Sequence, residues 1–375
     1  MSFTQAFGRL ALALVLLLLL SCCGAAEEVN TSARACIIID EATGRVLLQH
    51  NADEPLPMAS TTKVMTALLA IELGDMDAPV TASRNAFGVP GTNIYLSEGE
   101  TLTLQEMLTG LMLSSGNDAA VAIAEHIGGT VSNFCRMMTE RAAALGCTST
   151  VFLTPHGLPQ EGHHTTARDL ALIARAAMAE PIFRDIVSTK RATIPWEGHD
   201  YARVLTNKNQ LLSTYAGATG IKTGYTKKAG RCLVFGAERD GMRIIGVVLN
   251  CPDWFNEAAR LMDIAFERYE AVTLAQAGDV LATMPVNRTD GATVDLCITA
   301  DLTGIAPRGS IPRIELYLPD APEAPITAGQ LLGTARLVCG GETIAEVPLA
   351  AAQTVLRDDF PARWRMYWQN WLLLP

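Results

Sequence analysis

The chain has 375 residues, of which 49% are hydrophobic and 18% charged, and its formal net charge at pH 7 is -10. This length and hydrophobic fraction allow a large core and about two domains. The acidic balance, with no basic cluster or Lys/Arg-rich run, argues against nucleic acid as a partner.

The N-terminus has the pattern of a secretion signal. Arg9 precedes an unbroken apolar run over residues 10–20, and small residues follow it. The run is shorter than the roughly 20 residues that a membrane-spanning helix needs. Residues 1–26 are therefore predicted to be a cleaved signal peptide, so that the mature chain works outside the cytoplasm. The alternative is lipoprotein processing, in which Cys22 would carry the lipid.

Residues 31–270 have the pattern of one mixed domain. Strand-like runs at 35–40 and 45–49 predict an N-terminal hairpin. Helical spacing and two closing strands follow; the predicted helices cover 64–73, 104–113, 119–127, 170–179 and 256–269, and the strands cover 231–238 and 243–249. Strands at both ends with a helical middle predict an α+β fold, with one antiparallel sheet and helices packed against it.

The sequence changes character after residue 271. Helical periodicity disappears, and short β-like runs alternate with Gly and Pro at 292–298, 313–318, 333–339 and 343–349. Residues 275–356 are therefore predicted to form a small all-β domain.

The last residues, 360–375, form an aromatic segment. Spacings of three and four separate Phe360, Trp364, Tyr367, Trp368 and Trp371, and polar residues fall mostly on the opposite side. This predicts an amphipathic helix that lies in the headgroup region of a membrane surface. The segment is too short and too polar to span a bilayer. A helix that closes against the β-domain is the alternative.

Ser60-Thr61-Thr62-Lys63 lies at the start of the first predicted helix. The spacing of three places the Ser60 hydroxyl and the Lys63 amine on one helix face. Lysine at its ordinary pKa of about 10.4 is a poor base at neutral pH, but partial burial lowers that pKa into range. The pair therefore has the residue types of a nucleophile and its base, although the pattern alone is weak.

Ser115-Gly116-Asn117 follows an apolar run and precedes a helix. It is predicted to lie in a turn between two helices, where the side chains of Ser115 and Asn117 can face a cleft. Capping of the next helix by either residue is the alternative.

Lys222-Thr223-Gly224 occurs once, just before the two closing strands. Taken alone, the tripeptide has the composition of a turn. Lys222 and Thr223 offer a positive charge and a hydroxyl, and Gly224 would let a substrate backbone approach closely.

The three motifs in this order resemble those of the serine-type D-alanyl-D-alanine carboxypeptidases, which are low-molecular-mass penicillin-binding proteins. The flanking residues extend the resemblance over most of the mature chain: Pro155-His156-Gly157-Leu158, Ala167-Arg168-Asp169-Leu170, Asn207-Lys208-Asn209-Gln210 and Gly220-Ile221-Lys222-Thr223-Gly224-Tyr225.

The resemblance implies a β-lactamase/transpeptidase-like fold and removal of the terminal D-alanine from peptidoglycan stem pentapeptides through an acyl-enzyme on Ser60. It implies catalytic roles for Ser60, Lys63 and Ser115, and substrate-binding roles for Asn117, Lys222, Thr223, Gly224, Tyr225 and Lys208. The implied partners are stem peptides that end in D-Ala-D-Ala, β-lactams as covalent inhibitors, and the outer face of the bacterial cytoplasmic membrane. Neither a cofactor nor a metal is implied.

Three other functions fit the same sequence. A β-lactamase typically has an Asp between the Ser and Asn of the second motif and a Glu-x-x-Leu-Asn deacylation element, whereas this chain has Gly116 and no such Glu pattern. A D,D-endopeptidase or a transpeptidase differs only in leaving group or acceptor. A catalytically silent wall-binding protein would keep the fold, but here all the motif hydroxyls and lysines are present.

The histidines and cysteines are candidate metal ligands by residue type, but their spacing is that of residues with packing roles. His156, His163 and His164 lack the spacing of zinc ligands, so loop packing and hydrogen bonding are their expected roles. The mature chain would keep seven scattered cysteines without a C-x-x-C pair, and these are interpreted as buried small hydrophobic residues.

Overall fold

The computed structural model describes residues 27–357 and Trp364. They divide into two compact units, which adjoin in the sequence at Glu267 and Arg268. The predicted signal peptide, and the segment 360–375 apart from Trp364, lie outside the described residues.

The N-terminal unit contains ten strands and nine helices among its described residues. The strands are β1 (Glu27–Glu28), β2 (Ala35–Asp40), β3 (Val46–His50), β4 (Pro79–Thr81), β5 (Thr101–Thr103), β6 (Arg191–Ile194), β7 (Arg203–Thr206), β8 (Ala218–Thr226), β9 (Gly230–Arg239) and β10 (Met242–Leu249). The helices are α1 (Lys63–Leu73), α2 (Arg84–Phe87), α3 (Leu104–Thr109), α4 (Asn117–Gly128), α5 (Val131–Ala144), α6 (Ala167–Ala179), α7 (Pro181–Ser188), α8 (Leu211–Thr214) and α9 (Trp254–Arg268).

Six strands form the main sheet, in the order β1-β3-β2-β10-β9-β8. All neighbouring pairs are antiparallel except β1 and β3. The run Ala35–Asp40 is buried at every position, because its strand lies inside the sheet and is covered on both faces. The predicted α+β architecture and its N-terminal hairpin are confirmed. Strand β8, which contains Lys222-Thr223-Gly224, lies at the edge of the sheet, where one side of its backbone has no neighbouring strand in this sheet.

Helix α1 is the central helix of this unit. Every residue from Lys63 to Ala70 is buried, because the apolar side chains surround the helix rather than forming one stripe. A lysine in the first turn of such a helix is carried into the core with it. The burial of Lys63 is thus a consequence of the sequence that follows it.

The predicted helix over 104–113 is shorter than expected. It ends at Thr109, and the chain continues through a wide π-helical turn, Gly110–Ser114, before Ser115 takes a left-handed φ of 65°. A Cβ on Gly110 would stand 2.7 Å from a side-chain carbon of Ile94, so this turn packs directly on the loop before β5. The widened turn reverses the chain and brings the second motif to the start of α4.

The C-terminal unit is all-β over residues 269–357, which confirms the prediction for this part of the chain. Its strands are β11 (Tyr269–Ala275), β12 (Val280–Pro285), β13 (Thr293–Ile298), β14 (Leu302–Pro307), β15 (Arg313–Tyr317), β16 (Leu331–Cys339) and β17 (Glu342–Ala351). Five form a sheet in the order β12-β13-β17-β16-β15, and β11 pairs with β14. Alternation along the second half of β17, with Val347, Leu349 and Ala351 buried, helps to give this unit its own core.

Among the described residues, the cysteines all carry free thiols, and all but Cys297 are buried. Burial raises the pKa of the Cys36 thiol to about 12, which keeps it protonated and unreactive. These cysteines therefore pack as small hydrophobic residues, as expected. No helix within residues 27–357 combines the length and the apolar character needed to cross a bilayer.

Candidate active site

The first motif begins in a tight turn ahead of α1. Residues Ala59–Thr62 form one 3₁₀ turn, in which Ala59 takes a left-handed φ of 49°. This conformation is unfavourable for alanine, by about 1–2 kcal/mol, so the surrounding structure must impose it. The Thr61 hydroxyl donates to the Met58 carbonyl at 2.6 Å and braces the turn. Ser60 is left partly exposed at the surface of the core helix.

Lys63 lies beneath Ser60 and is fully buried. Its Nζ is 3.2 Å from Ser60 Oγ, and it donates to Asn117 Oδ1 at 2.7 Å and to the His156 carbonyl at 2.9 Å. A neutral amine has two protons and one lone pair. The two carbonyl acceptors can take the protons, which leaves the lone pair for the hydroxyl of Ser60.

The surroundings of Lys63 favour this neutral form. Burial lowers the pKa of Lys63 well below that of a free lysine, and the positive charges of Lys222 and Lys208 lower it further. The carboxylate of Asp118 opposes this shift. Burial, assisted by the two neighbouring lysines, thus favours the unprotonated form of the amine nearest the hydroxyl.

Asn117 joins the second motif to the first. Besides accepting from Lys63, its side-chain amide donates to the Pro90 carbonyl at 2.7 Å. It is the first residue of α4, but the cap position belongs to Gly116, and the side chains that accept from N–H groups of the first turn are those of Asn93 and Asp118. The capping alternative for Ser115 and Asn117 is therefore wrong.

The loop before β5 is fastened to the start of α4. The carboxylate of Asp118 accepts from the backbone N–H groups of Ile94 and Leu96, both at 3.0 Å. The backbone N–H of Asn117 donates to Thr92 O at 2.7 Å. These bonds fix the wall of the cleft on which Ser115, buried and in its left-handed conformation, is presented.

The third motif lies within a strand, so its interpretation as a turn is wrong. Lys222, Thr223 and Gly224 occupy the middle of β8 and pair with β9, with Gly224 opposite Cys232. Buried Lys222 donates to the Thr223 carbonyl at 3.0 Å. Burial, aided by the charge of Lys208, lowers the pKa of Lys222 to about 7.

Gly224 contacts the turn Ala59–Thr62 that carries Ser60, called the Ser60 turn below. A Cβ at this position would stand 2.9 Å from Ser60 N, 3.0 Å from Thr61 N and 3.1 Å from Met58 O. The space expected to admit a substrate backbone is thus filled by the Ser60 turn. Glycine is required because β8 and this turn are in direct backbone contact.

Lys208 is exposed, but its charge acts within the site. Its backbone N–H donates to the Leu113 carbonyl at 3.3 Å, which ties the segment after β7 to the π-helical turn before Ser115. Its positive charge lowers the pKa of both Lys63 and Lys222. The structure therefore brings Lys208 close to the other two lysines.

Two contacts of the loop 153–165 were not predicted. Gly157, at a φ of 87°, packs on the Ser60 turn so closely that a Cβ would lie 1.9 Å from Ala59 O. His163 Nδ1 accepts from Leu153 N at 3.0 Å, so Nε2 carries the proton and donates to Thr62 Oγ1 at 2.9 Å. Burial lowers the pKa of His163 to about 4, which keeps the ring neutral.

No group of three or more His, Cys, Asp or Glu side chains within residues 27–357 is arranged to hold a metal ion. The side chains gathered around Ser60 are suited to nucleophilic chemistry. The arrangement provides a hydroxyl beside a neutral amine, a second hydroxyl on the cleft wall and two further lysines.

Comparison with known families matches both units. Residues 23–253 match the family model described as D-alanyl-D-alanine carboxypeptidase, and residues 269–357 match the model described as the C-terminal domain of penicillin-binding protein 5. D-alanyl-D-alanine carboxypeptidase DacF of Bacillus subtilis is 34% identical over 345 residues, which cover 89% of this chain and 88% of that protein.

Two further relatives match over similar lengths. D-alanyl-D-alanine carboxypeptidase DacC of Escherichia coli is 32% identical and covers 90% of this chain and 88% of its own length. The crystal structure of penicillin-binding protein 5 from Haemophilus influenzae superimposes with a TM-score of 0.75 at 27% identity, covering 89% of this chain and all of that one.

Proposed function

Since this chain belongs to the D-alanyl-D-alanine carboxypeptidase family, we propose that Ser60, Lys63 and Ser115 carry out the acyl transfer of that family's reaction. The protein is a serine hydrolase that acts on D-Ala-D-Ala, a D,D-carboxypeptidase of peptidoglycan metabolism. The assignment of individual steps rests on one observation above all, the 3.2 Å separation of Ser60 Oγ from the amine of the fully buried Lys63.

Acylation begins with Ser60. Its Oγ attacks the carbonyl carbon between the two D-alanines while Lys63 Nζ takes its proton. The bonds from Nζ to Asn117 and to the His156 carbonyl hold the lone pair toward the hydroxyl during this transfer. The C–N bond then breaks, and D-alanine leaves as the amine.

Ser115 delivers a proton to the leaving amine. Ser115 follows the π-helical turn and has a left-handed backbone conformation. No described side chain or backbone group forms a hydrogen bond with its hydroxyl. A hydroxyl without a fixed partner can donate to the leaving nitrogen and accept from the Lys63 ammonium. The relay returns Lys63 to its neutral form.

The backbone N–H groups of Ser60 and Tyr225 form the oxyanion hole. The contact of Gly224 with Ser60 N brings the residue after the third motif beside the nucleophile. Two such donors stabilise the charge that develops on the substrate carbonyl, and each contributes about 3–4 kcal/mol.

The terminal carboxylate of the substrate binds at the third motif. Thr223 supplies a hydroxyl, and Lys222 and Lys208 supply positive potential. Lys222, whose pKa is lowered to about 7, gains its proton more readily when a carboxylate enters. Binding of an anionic substrate end is thus coupled to protonation of this buried lysine.

The reaction itself is tested with a synthetic pentapeptide that ends in D-Ala-D-Ala. Mass spectrometry of the products is expected to show loss of one alanine. Cleavage of a cross-linked dimer without any D-alanine release would instead favour the D,D-endopeptidase. Binding of wall fragments without either cleavage would favour the catalytically silent protein.

The penicilloyl adduct on Ser60 is expected to be long-lived. The sequence between Asn117 and Lys222 lacks the deacylating glutamate pattern of a β-lactamase, so no dedicated base activates water against the ester. Loss of a general base slows such a step by roughly 10²–10⁴-fold. The measurement is release of labelled penicilloate from purified, acylated enzyme; rapid multiple turnover of penicillin would reassign the protein as a β-lactamase.

We also propose an extracytoplasmic, membrane-surface location. Support comes from the signal-peptide pattern of residues 1–26, the amphipathic pattern of residues 360–375 and the position of peptidoglycan outside the cytoplasmic membrane. Aromatic side chains of the C-terminal segment would insert among lipid headgroups, with its arginines toward water or anionic lipid. The enzyme would then remain close to newly made wall.

Deletion of residues 360–375 is expected to release the mature enzyme from membranes into the soluble fraction, because the aromatic face supplies the apolar contact. Fractionation of cells that express the truncated protein measures this. A full-length variant with alanine at Trp364, Trp368 and Trp371 should behave in the same way. If both stay with membranes, the anchor assignment is wrong, and a Cys22→Ser variant then tests the lipoprotein alternative.

A further inference from the structure

The hairpin formed by β6 and β7 ends in an aromatic tip, residues 195–202, which the reaction does not use. Trp196, His199 and Tyr201 form one cluster there, with ring centroids 4.3, 5.1 and 5.6 Å apart. Tyr201 is 62% exposed. The tip borders an open, shallow cleft of about 470 Å³, whose other lining residues are Thr101 and Leu102.

A buried ion pair holds this exposed tip in place. Arg203, 4% exposed, donates to the fully buried Glu100 at 2.8 Å and to Tyr95 O and Pro195 O at 3.3 Å. Its guanidinium carbon also lies 5.0 Å from the centroid of the Trp196 ring. A rigid aromatic surface loses little conformational entropy when a ligand binds to it.

The charges around the tip restrict the ligand. The guanidinium of Arg203 already lies against Trp196, which disfavours a second cation. Glu197 and Asp200 line the cleft and disfavour an anion. A neutral, polyhydroxylated ring fits both limits, because its C–H faces pack on aromatic rings and its hydroxyls donate to carboxylates.

The aromatic tip is joined to the site lysines by a short stretch of chain. Lys208, whose charge acts on Lys63 and Lys222, lies two residues after the end of β7. Seven extended residues from Tyr201 to Lys208 span at most roughly 23 Å, so a ligand on the tip lies within about that distance of Lys208.

We propose that the aromatic tip of the β6–β7 hairpin is a saccharide subsite that binds the wall sugar attached to the stem peptide. The inference rests on the proposed function and defines its substrate more closely: the enzyme prefers stem peptides that carry the amino-sugar glycan over free peptides. The contact adds affinity remote from the scissile bond.

The test compares kcat/KM for a pentapeptide with and without its N-acetylglucosaminyl-N-acetylmuramyl disaccharide. The wild-type enzyme is expected to prefer the sugar-bearing substrate by about tenfold, the effect of one or two stacked rings. The double variant W196A/Y201A should lose that preference and keep its activity on the free peptide. Y317A, which removes an exposed tyrosine from the C-terminal unit, is the matched control.

Direct binding provides a second measurement that does not depend on activity. Isothermal titration of S60A protein with the peptide-free disaccharide should show binding, which S60A/W196A should lose and S60A/W196F should retain. Equal kcat/KM values for the two substrates, or an unchanged preference in W196A/Y201A, would overturn the proposal. Failure of the proposed function is distinct, since then neither substrate releases D-alanine.

Discussion

Ser60→Ala is expected to abolish covalent labelling by benzylpenicillin and to lower D-alanine release by at least about 10⁴-fold. The reason is chemical, because Ser60 supplies the hydroxyl among the described hydrogen-bond partners of Lys63 Nζ, the others being carbonyl oxygens of Asn117 and His156. Peptide mass mapping of labelled wild-type enzyme, together with steady-state assays of the variant, measures both effects.

Ser115→Ala is the matched control for that experiment. It removes the other hydroxyl of the site but leaves the Ser60–Lys63 pair intact, so the enzyme should still become labelled, more slowly. Labelling of the Ser60→Ala protein, or an adduct mapped to another residue of the wild type, would refute the acyl-enzyme assignment.

Lys63→Arg is expected to lower the rate of acylation by roughly 10²–10⁴-fold, the usual contribution of a positioned base. Arginine is always protonated in proteins, so it has no lone pair for the Ser60 proton. Stopped-flow acylation with a chromogenic β-lactam measures the rate. Lys208→Arg, which keeps a charge that acts on the same site, should change that rate little.

The pH profile of kcat/KM tests the same assignment independently. Below the lowered pKa of Lys63 the amine gains a proton, so the rate falls as pH decreases. Above the pKa of about 7 of Lys222 the substrate carboxylate loses its counter-charge, so the rate falls again as pH increases. The acid limb should disappear in Lys63→Arg; an unchanged profile would mean that another group is the base.

The sequence specified most of the fold and the chemistry of the site because both depend on local patterns. The spacing of three between Ser60 and Lys63 places their side chains together on any helical turn, and the structure gives 3.2 Å. Likewise, the helical spacing of the apolar residues after Lys63 predicted the helix over 64–73, which the structure has at Lys63–Leu73. Local patterns could not predict which distant segments would pack against the Ser60 turn, as Gly157 and Gly224 do.

The third motif shows where this reasoning fails. Its sequence, ATGIKTGYT, contains two glycines and no regular alternation, so the composition is that of a turn. It forms a strand because β9 offers a complete antiparallel partner, a long-range effect. The contact of His163 with Thr62 spans 101 positions of sequence, and no local signal announces it.

The two glycines that contact the Ser60 turn make the site depend on complete folding. Gly157 and Gly224 both press on backbone atoms of this turn, from positions far downstream. An unfolded chain therefore possesses Ser60 but not the enclosure that holds its hydroxyl beside the buried Lys63 amine. The site is assembled only when β8 joins the edge of the sheet, so Ser60 remains an ordinary serine until folding is complete.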